Sequence, residues 1–367
     1  MKKYFWLSLF SFWMIAPAVS HAQPEARRGL FVSVIQEPQT LSSREAILEL
    51  IEFSKKARID TLFVQIYRAN KAWFPSKTGD SGPYQACLES VGEDPFQLLI
   101  KEAHAAGIQV HAWLNLLSLS TNTDAPMLKK YGPEILTRKP GEKKTIENYK
   151  IDNQYFLEPG DLRVREELST MIEEILRQYP ALDGLQLDYI RYPDSQPFYG
   201  YTEMNMARFQ QARGQEQALS ENNPAWKDWR RGQVTELVEL LAKKARALRP
   251  EIRVSTTGCA PYSRAYHEAF QDWASWLDRK LVDFVTMMSY PADVPQFENN
   301  ISGARDKTRN FEKVNIGIGA YKLLKSPEIF TGQLKSCEKA GGRGCVVFHY
   351  GSLLENPALA EPLLNQN

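Results

Sequence analysis

The sequence contains little cysteine and has no excess of charge of either sign. It has 4 cysteines in 367 residues and no C-x-x-C pair or Cys/His cluster, which argues against a structural zinc site. Lysine and arginine total 45 against 44 aspartates and glutamates, so a nonspecific nucleic-acid partner has no electrostatic support. No G-x-S-x-G segment is present, and esterase chemistry is therefore unsupported. No cofactor is expected.

The amino terminus has the layout of an export signal. Lys2 and Lys3 precede the uncharged run Tyr4–Ala18, and Ser20 and Ala22 supply small residues before a cleavage at Gln23. This pattern predicts a signal peptide over residues 1–22 and an exported protein, periplasmic or secreted. The alternative, an uncleaved anchor, would have a run shorter than the ~20 residues that span a bilayer. We therefore expect no stable membrane anchor after cleavage.

The rest of the chain alternates short apolar runs with helical patterns. The predicted strands are Gly29–Val34, Thr61–Tyr67, Gln109–Asn115, Gly184–Asp188, Arg253–Thr257, Phe284–Ser289, Asn315–Gly319 and Gly344–His349. Eight strand–helix units predict an α/β fold, a (β/α)8 TIM barrel over residues 23–367 as a single domain. The alternative is a doubly wound open sheet, but no Gly-rich phosphate loop follows the first strand.

The connections after the third and fourth predicted strands are long. The third and fourth strands start 75 residues apart, and the fourth and fifth start 69 residues apart. Loops that follow the strands of such a barrel lie on its catalytic face. Because these loops are long and rich in aromatic residues, we expect them to form the walls of an elongated substrate cleft. Alternatively, the aromatic side chains pack under their own loops.

Polar residues recur on one face of several predicted strands. The set comprises Gln65, His111, Trp113, Asn115, Gln186, Asp188, Tyr290 and His349. Side chains alternate between the barrel interior and the helix layer, so this face is predicted to point inward. The members near strand ends would converge on one pocket. A metal site would require His111, His349 and Asp188 to converge, and none is predicted.

The segment DGLQLDYIRYP, residues 183–193, is the most specific motif in the chain. It resembles the fourth-strand signature of the glycosyl hydrolase-like family 10 proteins, which are bacterial exported (β/α)8 barrels. Other segments resemble that family in the same order, among them DPFQLLIKEAHAAGIQVHAWLN, LEPGDLRVREEL, DFVTMMSYPAD and GCVVFHYGSL. Glu158 departs from the family pattern, where Asn or Asp is expected before Pro-Gly. A chitinase mechanism is excluded because Ile190 occupies its catalytic Glu position.

The resemblance implies a glycoside hydrolase with Asp188 as its key carboxylate. Such enzymes usually need two carboxyl groups, and the second is predicted to be Asp293 or Glu158, with Glu37 a further candidate. Asp293 has an alternative role as a helix cap. Arg191 would pair with Asp188. The substrate would be a polysaccharide or oligosaccharide lying along the cleft, where Trp113 is expected to stack on a sugar. The predicted substrate contacts are Gln65, His111, Trp113, Asn115, Arg191, Tyr192, Tyr290 and His349.

Two functions therefore remain open. One is hydrolysis of O-glycosidic bonds in a polysaccharide, with bacterial cell-wall glycan as the substrate class implied by family and export. The other is noncatalytic carbohydrate binding on the same barrel.

The four cysteines allow three pairings in an oxidising compartment. We expect two disulfides or none, with Cys337–Cys345 favoured because a glycine-rich segment connects them. The remaining pair would be Cys87 with Cys259.

Overall fold

The computed structural model describes residues 27–141, 145–193, 198–213 and 219–365. The predicted signal peptide, residues 1–22, therefore lies outside the described residues. Within them, no helix is both long and apolar enough to cross a membrane.

The core of the described chain is a closed barrel of eight parallel strands. The strands are β1 Arg27–Val32, β2 Thr61–Arg68, β3 Gln109–Asn115, β4 Gly184–Asp188, β5 Arg253–Cys259, β6 Phe284–Ser289, β7 Val314–Gly319 and β8 Gly344–Phe348. Each strand pairs with the next in the chain, and β8 pairs with β1 to close the barrel. The predicted (β/α)8 fold is confirmed, with strand bounds within a few residues of those read from the sequence.

A helix of the outer layer follows each strand. These helices are α1 Arg44–Lys56, α2 Pro95–Ala105, α3 Leu162–Gln178, α4 Pro224–Leu248, α5 Trp273–Asp278, α6 Val294–Arg305, α7 Pro327–Lys339 and α8 Tyr350–Glu355. Local sequence fixes several of their starts. The Ser43 side chain accepts a hydrogen bond from the Ala46 amide, and Asp94 caps α2, where Pro95 is the first helical residue.

Shorter elements occupy the loops between strands and helices. They are the strands Lys71–Ala72, Ser118–Ser120 and Tyr155–Phe156, and the helices Gly82–Val91, Pro126–Tyr131, Glu203–Arg213, Tyr262–His267 and Glu361–Leu364. Single 3₁₀ turns form at Thr40–Ser42, Pro133–Ile135, Ile146–Tyr149, Phe311–Lys313, Ala320–Lys322 and Pro357–Leu359. Tyr201, Phe209 and Trp226 form a small buried cluster of their own. The loop after β4 is therefore packed on α4 by its own aromatic side chains.

The barrel interior is filled by aromatic rings. Phe31, Phe63, Trp113 and Phe284 form one buried cluster with Val346, and Phe348 packs against it. His111 lies among them, with its ring centroid 5.4 Å from that of Phe63 and 5.5 Å from that of Phe284. This layer forms a solid floor beneath the carboxyl ends of the strands.

One disulfide joins Cys337 in α7 to Cys345 in β8, with an S–S distance of 2.06 Å. The favoured pairing is therefore confirmed. The expectation of two bridges or none is wrong, since Cys87 and Cys259 are buried and form no disulfide. Cys87 packs in the helix Gly82–Val91 as a small apolar residue, whereas Cys259 ends β5.

Candidate active site

Asp188 is held in a fixed orientation at the carboxyl end of β4. Its Oδ2 accepts a hydrogen bond from the Trp113 indole Nε1 at 2.8 Å. Its Oδ1 accepts from the Thr257 hydroxyl at 2.5 Å and from the Tyr189 amide at 2.7 Å. Because both oxygens accept from protein donors, the carboxylate is placed to act as a nucleophile, base or negative charge, and not as a proton donor.

The turn after β4 brings a cation back onto this carboxylate. Tyr189 has φ of 51°, in the left-handed region, which costs a residue with a side chain about 1–3 kcal/mol. The Arg191 guanidinium carbon lies 4.5 Å from the centroid of the Tyr189 ring, and its Nη1 lies 3.8 Å from Asp188 Oδ1. The strained turn therefore places a positive charge beside Asp188.

A cavity of about 750 Å³ opens above Asp188 at the carboxyl ends of the strands. Six of the residues predicted from the sequence line it: Trp113, Asn115, Asp188, Arg191, Tyr290 and His349. Asp188 is the only carboxylate among the described residues of the lining, which also includes Arg68, Arg191, Arg264 and Lys322. The surroundings of Asp188 are therefore strongly cationic, although the whole chain is nearly neutral.

Tyr290 and His349 line the cavity and carry buried polar atoms. Within the described part of the chain, the Tyr290 hydroxyl and His349 Nδ1 are buried without a hydrogen-bond partner. Burial and the negative charge of Asp188 raise the pKa of Tyr290 well above its ordinary value, and burial lowers the pKa of His349. At neutral pH the phenol is therefore a hydrogen-bond donor and the imidazole is uncharged. Both residues line the cavity, but these two polar atoms are buried beneath its surface.

Gln65 lies one layer behind the cavity and positions a residue that lines it. Its Oε1 accepts from the Ser33 hydroxyl at 3.0 Å and the Val34 amide at 3.2 Å, and its Nε2 donates to Asn115 Oδ1 at 3.1 Å. Gln65 is completely buried and does not line the cavity. It therefore orients Asn115.

His111 shares the inward face with Trp113 but lies deeper in the barrel. It is 1% exposed, and burial together with the charges of Arg343 and Arg253 lowers its pKa to about 3. The residue opposite on β4 is Gly184, where an added Cβ would lie 2.3 Å from the His111 ring. The structure places His111 in the aromatic floor, away from the cavity.

Glu158 and Tyr192 contact each other outside the cavity. Glu158 is completely buried and accepts hydrogen bonds from the Tyr192 hydroxyl, the Thr137 hydroxyl at 2.9 Å and the Gly160 amide at 3.2 Å. Burial raises the pKa of Glu158, whereas the bond from Tyr192 acts to lower it. The pair joins the loops after β3 and β4, and neither residue lines the cavity.

Asp293 is exposed and caps α6. Its side chain accepts a hydrogen bond from the Gln296 amide at 2.7 Å, and it is not among the residues of the cavity lining. Glu37, the further candidate, is also exposed and outside the lining. The structure thus brings none of the three candidate partner carboxyls, Asp293, Glu158 and Glu37, to the cavity above Asp188.

Several lining residues escaped the sequence analysis. They are Ser33, Ile35, Arg68, Tyr189, Arg264, Tyr321 and Lys322. Arg68 ends β2, and the others except Arg264 follow within a few residues of a strand end. Their position directly after predicted strands was the available signal, because that is where catalytic-face residues of this fold lie.

Within the described residues of the two long connections, Tyr189 is the only aromatic residue that lines the main cavity. Their aromatic residues Tyr155, Phe156, Tyr192, Tyr199 and Tyr201 are buried. These side chains pack beneath their loops, as in the alternative interpretation. A second depression of about 380 Å³ lies instead beside the cavity and shares Ile35 and Arg68 with it.

No group of three or more His, Cys, Asp and Glu side chains that could hold a metal ion occurs within residues 27–141, 145–193, 198–213 and 219–365. In particular, His111 lies in the floor whereas His349 and Asp188 line the cavity. The convergence that a metal site at these three residues would require is therefore not found.

Comparison with known proteins identifies related sequences. A family model for glycosyl hydrolase-like 10 proteins matches residues 27–330. Glycosyl hydrolase DigH of Escherichia coli O6:H1 is 24% identical over 281 residues, covering 67% of this chain and 58% of that protein. Glycosyl hydrolase YngK of Bacillus subtilis is 24% identical over 268 residues, covering 67% and 49%. The chain thus spans about half the length of these curated relatives.

Solved structures share the fold. An α-L-fucosidase isoenzyme 2 from Paenibacillus thiaminolyticus superposes with a TM-score of 0.64 at 14% identity, covering 92% of this chain and 48% of that one. The catalytic domain of a β-amylase from Paenibacillus polymyxa gives a TM-score of 0.57 at 11% identity, covering 91% and 94%. At these identities the likeness concerns the barrel alone.

Proposed function

Because the chain belongs to the glycosyl hydrolase-like 10 family, we propose that it hydrolyses O-glycosidic bonds of a polysaccharide with Asp188 as its key carboxylate. One observation carries the proposal: Asp188 is fixed by three donors at the base of a cavity of about 750 Å³. A carboxylate in that setting stabilises the positive charge that develops on a sugar ring during glycosidic cleavage.

The lining supplies further groups for such a reaction. The Tyr290 phenol is protonated at neutral pH, and the residue lines the cavity near Asp188. Asn115, held by Gln65, offers an amide for a sugar hydroxyl. Neither Asp293 nor Glu158 lines the cavity, and the proposal assigns neither of them the role of acid.

We further propose that the protein is exported and acts on bacterial cell-wall glycan. Support comes from the signal-peptide pattern of residues 1–22 and from the resemblance of the DGLQLDYIRYP segment to exported barrels. Such a location would bring the cavity into contact with this polysaccharide.

The second candidate is a carbohydrate-binding protein without hydrolytic activity. It is favoured by the lining, where Asp188 is the only carboxylate among the described residues, whereas glycosidases usually use two. The same experiment separates the two candidates.

Purified protein should be tested against a glycan panel that includes peptidoglycan strands, with release of reducing ends as the readout. We expect Asp188→Asn to reduce hydrolysis to background while circular dichroism and the melting temperature show a folded protein. Asp293→Asn is the matched control, because it changes an exposed carboxylate outside the cavity, and it should retain activity. Equal rates for Asp188→Asn and wild type would remove Asp188 from the mechanism. Binding of a glycan without turnover by the wild type would support the second candidate.

A further inference from the structure

Two cations face each other at the edge of the cavity on a tight hairpin. Arg68 at the end of β2 pairs directly with Lys71 in the antiparallel strand Lys71–Ala72. The turn between them consists of Ala69 and Asn70, with φ of 54° and 57°. Left-handed conformations at both central residues are typical of the type I′ turn, which holds its two flanking residues opposite each other.

Side-chain hydrogen bonds fix the hairpin in place. Asn70 Nδ2 donates to the Tyr67 hydroxyl at 2.9 Å and to the Thr78 carbonyl at 3.1 Å. Its Oδ1 accepts from the Met127 amide at 2.9 Å, and Asn122 Nδ2 donates to the Ala69 carbonyl at 2.8 Å. The backbone that carries the two cations is therefore rigid.

Like charges directly opposite each other in an antiparallel pair destabilise it. Neither the Arg68 nor the Lys71 side chain makes a hydrogen bond or ion pair with any described residue. The pair therefore adds an electrostatic cost to folding. Asp80, the bridge partner of Lys71, supplies one negative charge against these two positive charges without forming an ion pair with either side chain, so part of the cost remains. An anionic ligand would offset it.

The second depression, of about 380 Å³, places this cation pair against a surface suited to a sugar. Its lining includes Arg68, Lys71, the half-buried Trp73, Gln39 and Asn122, and no carboxylate among the described residues. Arg68 also lines the main cavity, so the depression is the next position for a chain that passes over Asp188. An arginine fork recognises a carboxylate through two parallel hydrogen bonds, and a lysine adds a point charge.

Resting on the proposed function of the main cavity, we propose that the Arg68–Lys71 hairpin binds a carboxylate-bearing sugar residue next to the one over Asp188. The substrate is then an acidic glycan, recognised by its charge as well as by its hydroxyl groups.

The test measures binding and does not depend on hydrolysis. Isothermal titration of the full chain carrying Asp188→Asn would use peptide-free cell-wall glycan strands and oligouronates, each compared with its own carboxyl-reduced form. We expect at least one acidic glycan to bind about tenfold or more tightly than its reduced form at low salt, the preference shrinking at high salt. Arg68→Gln and Lys71→Gln should each remove most of that preference, and Arg68→Lys should retain part of it. Lys101→Gln, an exposed cation on α2, is the matched control and should change nothing.

Equal binding of acidic and reduced glycans, or no binding of any acidic glycan, would overturn the inference. A preference for the acidic form that survives both Gln variants would overturn the assignment to this hairpin. Hydrolysis by the wild type is measured in a separate assay. If the protein proves not to be a hydrolase, the binding assay still tests the hairpin proposal. If the hairpin proposal fails, the hydrolysis assay still tests the proposed function.

Discussion

The Trp113 indole donates a hydrogen bond of 2.8 Å to Asp188 and so links the carboxylate to the aromatic floor. The same ring lies 4.9 Å from Phe31 and 5.7 Å from Phe348, measured between centroids. Only 3% of Trp113 is exposed. Trp113, which was predicted to stack on sugars, therefore buries most of its surface in the aromatic floor. Its indole N–H orients Asp188.

Trp113→Phe should separate these two roles. A six-membered ring is retained, but the five-membered ring of the indole and its N–H are lost. We expect kcat to fall tenfold to hundredfold, in line with a charged hydrogen bond of about 1.5–3 kcal/mol. The melting temperature should fall, but by less than for Trp113→Ala, because the phenyl ring still fills part of the floor. Trp113→Ala should instead destabilise the fold by about 3–5 kcal/mol, because it leaves a large cavity in the floor. A Phe variant with wild-type kcat would show that the hydrogen bond has no catalytic value.

Chain length should affect the rate, because the second depression adjoins the cavity through Ile35 and Arg68. We expect kcat/KM to rise from a disaccharide to a hexasaccharide of the same glycan, since remote binding energy supports the chemical step. Steady-state kinetics on a length series would measure this. A disaccharide that reacts as fast as the hexasaccharide would contradict an extended binding surface.

Gly184→Ala should destabilise the barrel. The added Cβ would lie 2.3 Å from the His111 ring and 2.9 Å from the Arg253 carbonyl oxygen, so strand and ring must shift. We expect a loss of about 1–3 kcal/mol in the free energy of unfolding, measured in urea. Gly232→Ala in α4 is the matched control, because nothing lies within 4 Å of its added Cβ. That change should be neutral or stabilise by up to about 1 kcal/mol, and equal losses for both variants would refute the steric explanation.

His111 should make stability depend on pH. Its folded-state pKa is about 3, against an ordinary value of 6.5 for the unfolded chain. The folded protein therefore cannot bind the proton that the unfolded chain takes up, and stability is lost as the pH falls from 6.5 towards 3. Within this window the free energy of unfolding should fall by about 1.4 kcal/mol for each pH unit.

His111→Leu should flatten that dependence. Urea unfolding at several pH values would compare it with wild type, and His267→Gln serves as the control, because His267 is an exposed histidine at the end of the helix Tyr262–His267. At neutral pH the Leu variant should lose little stability, because it removes a buried Nδ1 that has no partner in the described structure. An unchanged pH slope in the Leu variant would show that other groups cause the acid sensitivity.

The sequence by itself determined the barrel and the place of Asp188. Apolar residues repeat with a short period along strands and helices, so neighbouring residues in the sequence are enough to predict these elements. Capping residues such as Ser43 and Asp94 mark the starts of helices directly. The two-residue alternation on β4 also determined that Asp188 and Gln186 face inward. The Cys337–Cys345 pairing was readable because only seven residues separate the two cysteines.

Only the tertiary structure decided how deep each inward residue lies and which loop residues meet. His111 and Asn115 share one face of β3, but four residues of strand place them roughly 13 Å apart, one in the floor and one in the cavity. Glu158 and Asp293 follow strands as a catalytic residue would. Long-range packing buries Glu158 against Tyr192, whereas Asp293 caps α6 and is exposed. The Arg68–Lys71 pair depends on a turn geometry that neither residue encodes alone. Such outcomes depend on contacts between distant segments, which residue patterns along one segment do not contain.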